Sequence, residues 1–95
     1  SLETFAEKMD ELANVPVYIT IDLDVLDPGI FPGTGTPEPG GISYRDLLDA
    51  IGHMQKLNQI VAADVVELSP PYDPSGASTA VACKTVREML LTLGK

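Results

Sequence analysis

The sequence predicts an α/β fold built on a parallel sheet, and two observations carry that expectation. Val17–Ile21 and Ile60–Leu68 are short apolar runs rich in β-branched residues, as in buried strands of parallel sheets. Amphipathic segments precede, separate and follow them, so the chain reads α-β-α-β-α. Strand, crossover helix and strand make a βαβ unit, whose strands are parallel and whose crossover is right-handed. Both strands then bring their carboxyl ends to one edge of the sheet, where open α/β sheets bind ligands.

Residues 2–13 read as a helix, with Leu2, Phe5, Met9 and Leu12 spaced three and four apart and Glu3, Glu7, Lys8, Asp10 and Glu11 on a solvated face. Asn14-Val15-Pro16 breaks it. Residues 17–23 form the first strand, and its end is acidic. Asp22 and Asp24 lie two apart, on one side if the strand persists, and Asp27 follows in an Asp-Pro turn. Carboxylates at strand ends and in such turns commonly bond local amides. Two that converge at a buried strand end repel each other unless a cation lies between them, and a divalent metal serves.

The segment 24–42 favours the functional reading. It holds four Pro, five Gly and two Thr, and loops beyond roughly 12–15 residues are usually functional or disordered. Its prolines stiffen it and Ile30 and Phe31 offer apolar anchors, against disorder.

A helix over 43–57 starts on the Ser43-Tyr44-Arg45-Asp46 capping box and carries Leu47, Leu48, Ile51 and Met54 as its apolar stripe. His53, the only histidine, lies off that stripe with no convergent ligand nearby, so it reads as exposed and structural. The second strand spans 60–68. Asp64 within it reads as a carboxylate with a satisfied hydrogen bond, and Glu67 stands at its carboxyl end. Ser69 to Pro74 is a stiff loop on the same edge. The last helix covers 77–93, with Ala82, Cys83, Val86, Met89, Leu90 and Leu93 expected on its buried face, and Lys84 and Arg87 outside. Cys83 reads as small-hydrophobe packing.

Ninety-five residues with 44% hydrophobic content suit one small domain. The net charge of −8 disfavours nucleic acid and anionic membranes and suits cationic ligands. No apolar run approaches a membrane span and the N-terminus shows no secretory pattern. One cysteine cannot form an internal disulfide, which fits a cytoplasmic location. Two strands rarely make a stable sheet alone. The expectation is the C-terminal part of a larger, three-layer α/β/α doubly wound protein.

Ile21–Gly41, IDLDVLDPGIFPGTGTPEPGG, resembles the signature of the ureohydrolases, the arginase and agmatinase family of dimanganese enzymes. VVELSPPYDPSGASTAVACK, beginning at Val65, is similar to the family's next strand and loop, so the resemblance runs over roughly residues 15–93. PGTGTPEPGG followed by SPPYD resembles agmatinases more than arginases. The resemblance implies an arginase-like fold and hydrolysis of agmatine to urea and putrescine by a hydroxide generated between two Mn²⁺ ions. It makes Asp22 and Asp24 metal ligands, Glu67 the guanidinium-binding carboxylate and Thr36 a hydroxyl near the substrate. Asp27 is expected to hold the turn.

The family's Gly-Gly-Asp-His and Asp-Ala-His-x-Asp segments, which supply further ligands, are not in this sequence, nor is its proton-transfer histidine. The chain alone is therefore expected to be inactive. The family's trimers and hexamers make homo-oligomerisation an expectation. Three alternatives stay open: another ureohydrolase acting on arginine, guanidinobutyrate or formiminoglutamate; a truncated paralogue serving as an assembly module; and an α/β domain whose acidic strand ends bind a cation incidentally.

Overall fold

The computed structural model describes residues 1–94. Helix α1 (Leu2–Glu11) leads into strand β1 (Val17–Asp22); helix α2 (Tyr44–His53) crosses to strand β2 (Ile60–Val66); helix α3 (Ala77–Leu93) ends the chain. The two strands are parallel, with Tyr18 opposite Ala62 and Asp22 opposite Val66, and a bulge separates Val17 from Tyr18. No helix among the described residues is long and apolar enough to cross a membrane.

The helices begin where side chains can satisfy their free amides. Ser1 accepts from the Thr4 N–H at α1, and Ser43 accepts from the Asp46 N–H, 3.1 Å, at α2. Both helices end earlier than their apolar spacing predicts. α1 stops at Glu11, and after His53 the chain tightens into a 3₁₀ turn over Met54–Lys56. A 3₁₀ turn still buries Met54 while releasing Leu57 to the core. His53, the last residue of α2, is half-buried rather than exposed.

The core gathers on one face of the sheet. Ile19 and Ile21 point into it with Leu23, Leu26, Phe31, Leu47, Ile51, Met54 and Leu57. The neighbouring positions Tyr18, Thr20 and Asp22 face outward, and Tyr18 is 60% exposed. β1 therefore alternates instead of being buried throughout, and Val61 and Val66 of β2 are exposed too. The cause is coverage: only one face meets helices, so period two decides which side chains are dry. Asp64 half-emerges on the open face and accepts from the Tyr18 hydroxyl and from Thr20 Oγ1, at 2.6 Å for the latter. Thr20 first, then Tyr18, holds its carboxyl below the ordinary range, and the same bond raises the Tyr18 phenol.

α3 is rotated from its expected setting. Its buried residues are Ser78, Ala82, Thr85 and Met89, whereas Cys83, Val86 and Leu90 are exposed. The small residues let the helix lie close. Thr85 spends its proton on the Val81 carbonyl at 2.8 Å and meets the Tyr44 hydroxyl at 3.2 Å, so a polar residue is buried without an unmet group. Val86 and Leu90 line an open groove beside β2.

Candidate active site at the carboxyl edge of the sheet

β1 ends on Asp22, and the carboxylate itself makes the ending. Asp22 Oδ1 accepts from the Asp24 N–H at 3.1 Å, capping a 3₁₀ turn over Leu23–Val25. The two aspartates are thus brought together by a capped turn, not by the strand pleat that their spacing suggests. Leu23 goes wholly into the core while Asp24 stays half-exposed. The Asp22 carboxyl lies above its ordinary range. Desolvation is the largest cause, followed by a side-chain hydrogen bond with Asp24; the negative charges of Asp24 and Glu67 add to this, and the Asp24 amide opposes it.

The chain then leaves on a loop whose ends are joined. Leu26 and Ile42 form a parallel bridge, with the Asp27 N–H donating to the Ile42 carbonyl and the Ile42 N–H to Val25, at 3.1 and 3.0 Å. Asp27 holds the neck: Oδ2 accepts from Gly29 N–H at 3.0 Å and Oδ1 from Gly40 N–H at 3.1 Å. The Asp27 carbonyl also accepts from Ile30 and Phe31. Gly41 has to be glycine here, because a Cβ would sit 2.6 Å from the Leu26 carbonyl carbon and the Val25 carbonyl oxygen. Phe31 is fully buried and anchors the loop from inside, with Ile30 half-buried. Past it, Thr34 is buried with its hydroxyl unpartnered among the described residues.

The loop returns Thr36 to the aspartates, where its Oγ1 donates to Asp24 Oδ2 at 2.8 Å. One residue past β2, Glu67 is exposed, with φ +76°, the one non-glycine among the described residues in the left-handed region. A Cβ there crowds the following carbonyl, a strain of about 1–2 kcal/mol. Strained residues cluster at functional sites. Asp22, Asp24 and Thr36 therefore form one bonded group, and Glu67 stands in electrostatic reach of it. No set of three or more His, Cys, Asp or Glu side chains able to hold a metal ion occurs among the described residues. Asp22 and Asp24 offer hard oxygen donors, with Asp24 Oδ2 oriented by Thr36. This suits part of a divalent site but not a whole one.

Sequence reasoning missed a second cluster beside this one. Asp73, 8% exposed, receives Ser75 N–H and Oγ on Oδ1 and Ser78 N–H and Oγ on Oδ2. The Ser75 bonds first, then those of Ser78, hold its carboxyl down to about 2. The signal available was Asp-Pro-Ser-Gly, an aspartate able to bond an amide two residues on.

Residues 1–92 match the sequence profile of the arginase family. The chain is 52% identical over 91 residues to agmatinase of Bacillus cereus, covering 95% of this chain and 31% of that protein. It is 44% identical over 90 residues to the mitochondrial guanidino acid hydrolase of Rattus norvegicus, covering 95% and 25%. Its backbone matches the crystal structure of arginase from Bacillus subtilis with a TM-score of 0.82 at 34% identity, over 94% of this chain and 32% of that one. The chain spans about a third of the length of these proteins or less. Its parallel pair and three helices are a fragment of the arginase α/β fold, and with the profile running from residue 1 to residue 92 the chain belongs to the arginase family.

Proposed function

We propose that this chain is the C-terminal segment of an agmatinase-like ureohydrolase, which hydrolyses the guanidinium group of agmatine to urea and putrescine with two Mn²⁺ ions. The observation that carries the reading is the bonded group at the sheet edge, where Thr36 reaches back across the loop to Asp24 beside Asp22. Likeness to the Bacillus cereus agmatinase supports the substrate class. Likeness to a guanidino acid hydrolase keeps a second reading alive, in which the guanidino substrate ends in a carboxylate.

Asp22 and Asp24 would hold part of the metal centre, their mutual repulsion being relieved by divalent charge. When bound, such a centre supplies hydroxide near neutral pH by acidifying water. The chain's own residues do the rest that falls to this segment. Glu67, an anion at the strand end, binds the planar guanidinium through charge-assisted hydrogen bonds. Thr36 fixes the direction of one Asp24 oxygen, and the family resemblance sets its hydroxyl near the substrate. The joined loop and the Thr36–Asp24 bond fix Thr36 against Asp24, which is a contribution of orientation rather than of proton transfer.

Two carboxylates are too few for a dinuclear site, so the segment alone is expected to be inactive. The test is urea release with added Mn²⁺ from agmatine, arginine and guanidinobutyrate, by this chain and by the full-length protein containing it. Turnover of agmatine by the full-length protein alone is the expected result. Preference for a guanidino acid would move the second reading forward, and no turnover of any of the three would sink both.

A further inference from the structure

We propose that Asp73, acting through Ser78, is a positioning residue for the substrate loop: the Asp73–Ser78–Gly33 relay sets where Thr36 stands against Asp24. This rests on the ureohydrolase reading of the site and deepens it.

A buried carboxylate is costly unless paired or bonded. Asp73 has no ion pair among the described residues within 4.0 Å, yet all four of its bonds come from two serines. The bonds to Ser78 have a direction. Ser78 Oγ owns one proton and donates it to Asp73 Oδ2 at 2.6 Å, so toward Gly33 it can only accept. It does so from the Gly33 N–H at 2.8 Å, and Ser78 is wholly buried. The other side of the same residue is held as well, because the Gly33 carbonyl accepts from the Ser69 N–H at 2.7 Å. Residue 33 lies so close to α3 that a Cβ would stand 2.6 Å from Ser78 Cβ.

The loop after β1 is therefore clamped at Gly33 by Ser69 of the loop after β2 and by Ser78 in the first turn of α3. Three residues farther on is Thr36, and three residues of chain span at most about 10 Å. Thr34 between them is buried, so little slack remains. The clamp joins the half of the site carrying Asp24 and Thr36 to the half that begins at Glu67. Ser75 bonds Asp73 but not Gly33, which separates anchoring the carboxylate from transmitting its position.

The experiment compares Ser78→Ala, Asp73→Asn and Ser75→Ala in the full-length Mn²⁺-loaded protein, reading kcat/KM for agmatine, bound metal per subunit and amide hydrogen exchange. Misplacement of a binding group by about 1 Å costs on the order of 10²-fold in rate. Ser78→Ala and Asp73→Asn are expected to lower kcat/KM by about that factor with metal content unchanged and faster exchange confined to residues 32–41. Ser75→Ala is expected to change kcat/KM much less. Equal losses in Ser75→Ala and Ser78→Ala, unchanged kcat/KM in Ser78→Ala, or faster exchange spread through both strands would each overturn the proposal. If the wild-type protein turns over no guanidino substrate, the function assigned to it fails. The exchange comparison then decides the clamp alone, loop-confined change in Ser78→Ala supporting it and none overturning it.

Discussion

Glu67 combines an exposed carboxylate with a backbone conformation that glycine would adopt freely. That conflict makes a sharp expectation. Glu67→Gly relieves the left-handed strain and should stabilise the fold by about 1 kcal/mol, while Glu67→Ala should not. Both remove the carboxylate that the proposed function assigns to the guanidinium, so on that reading agmatine turnover by the full-length protein should collapse in each. Denaturation midpoints beside kcat/KM would check the split, and a destabilised Glu67→Gly would show that the side chain, not the backbone, is what the fold needs there. Asp73 gives a second expectation. Its folded pKa of about 2 lies below the ordinary 3.8, so its stabilisation is fully present above the unfolded value and fades as pH falls through the folded one. The stability gap between the native protein and Asp73→Asn should be constant from neutral pH to about pH 5 and shrink from pH 4 toward pH 2. A gap that persists at pH 2 would remove the carboxylate from that role. At this scale the sequence set Asp22 and Asp24 side by side and the family resemblance added Thr36, but neither marked Glu67's backbone or the Ser78–Gly33 bond. A φ angle and a contact forty-five residues away are consequences of packing, and a single sequence carries no mark of either.

Among the described residues the apolar periods agree in position with the three α-helices and two strands but not with the 3₁₀ turns, and the deviations have local causes. Asp22 ends β1 because its carboxylate caps the turn that follows. Met54 shortens α2 because a tighter turn keeps it buried. α3 buries Ser78, Ala82 and Thr85, and Thr85 is satisfied there by the Val81 carbonyl, which hydrophobicity alone does not register. The loop behaves as an element in its own right, with Leu26–Ile42 as its neck. Gly41→Ala would drive a methyl into three backbone atoms at the neck and should cost roughly 2–4 kcal/mol, as expected for a clash that only main-chain movement can relieve. Thermal unfolding would measure it, and a change below about 0.5 kcal/mol would mean that the neck is soft.

The molecule as a whole is a slab, 41 × 25 × 18 Å, with a radius of gyration of 13.7 Å. A compact chain of this length would have about 12.4 Å. The excess reflects a sheet open on one face and along both edges. A groove of 680 Å³ runs beside β1, lined by Leu2, Phe5, Ile21, Leu47 and Met54, and one of 380 Å³ lies beside β2, near Val86 and Leu90. Val61, Leu90 and Leu91 are each more than 65% exposed. Unpaired edges beside apolar patches favour association. The isolated chain should sediment as an oligomer, and Leu90→Lys should shift it toward monomer; a compact, cooperatively unfolding monomer of the unmodified chain would contradict this. The sequence made the incompleteness legible by counting strands, but not which face would lie open, since that depends on where three helices settle.

The joined neck of the loop also separates two kinds of change. Asp27 and the Leu26–Ile42 bridge close the excursion before it reaches the sheet, while Pro37, Glu38 and Pro39 at the far side are exposed. Extra residues there lengthen a loop that is already closed, and doubling a flexible loop adds only about 0.6 kcal/mol of closure entropy. Residues 37–39 are thus a graft point, where inserted or exchanged segments can reshape what approaches the acidic edge while the carboxylates below keep their places.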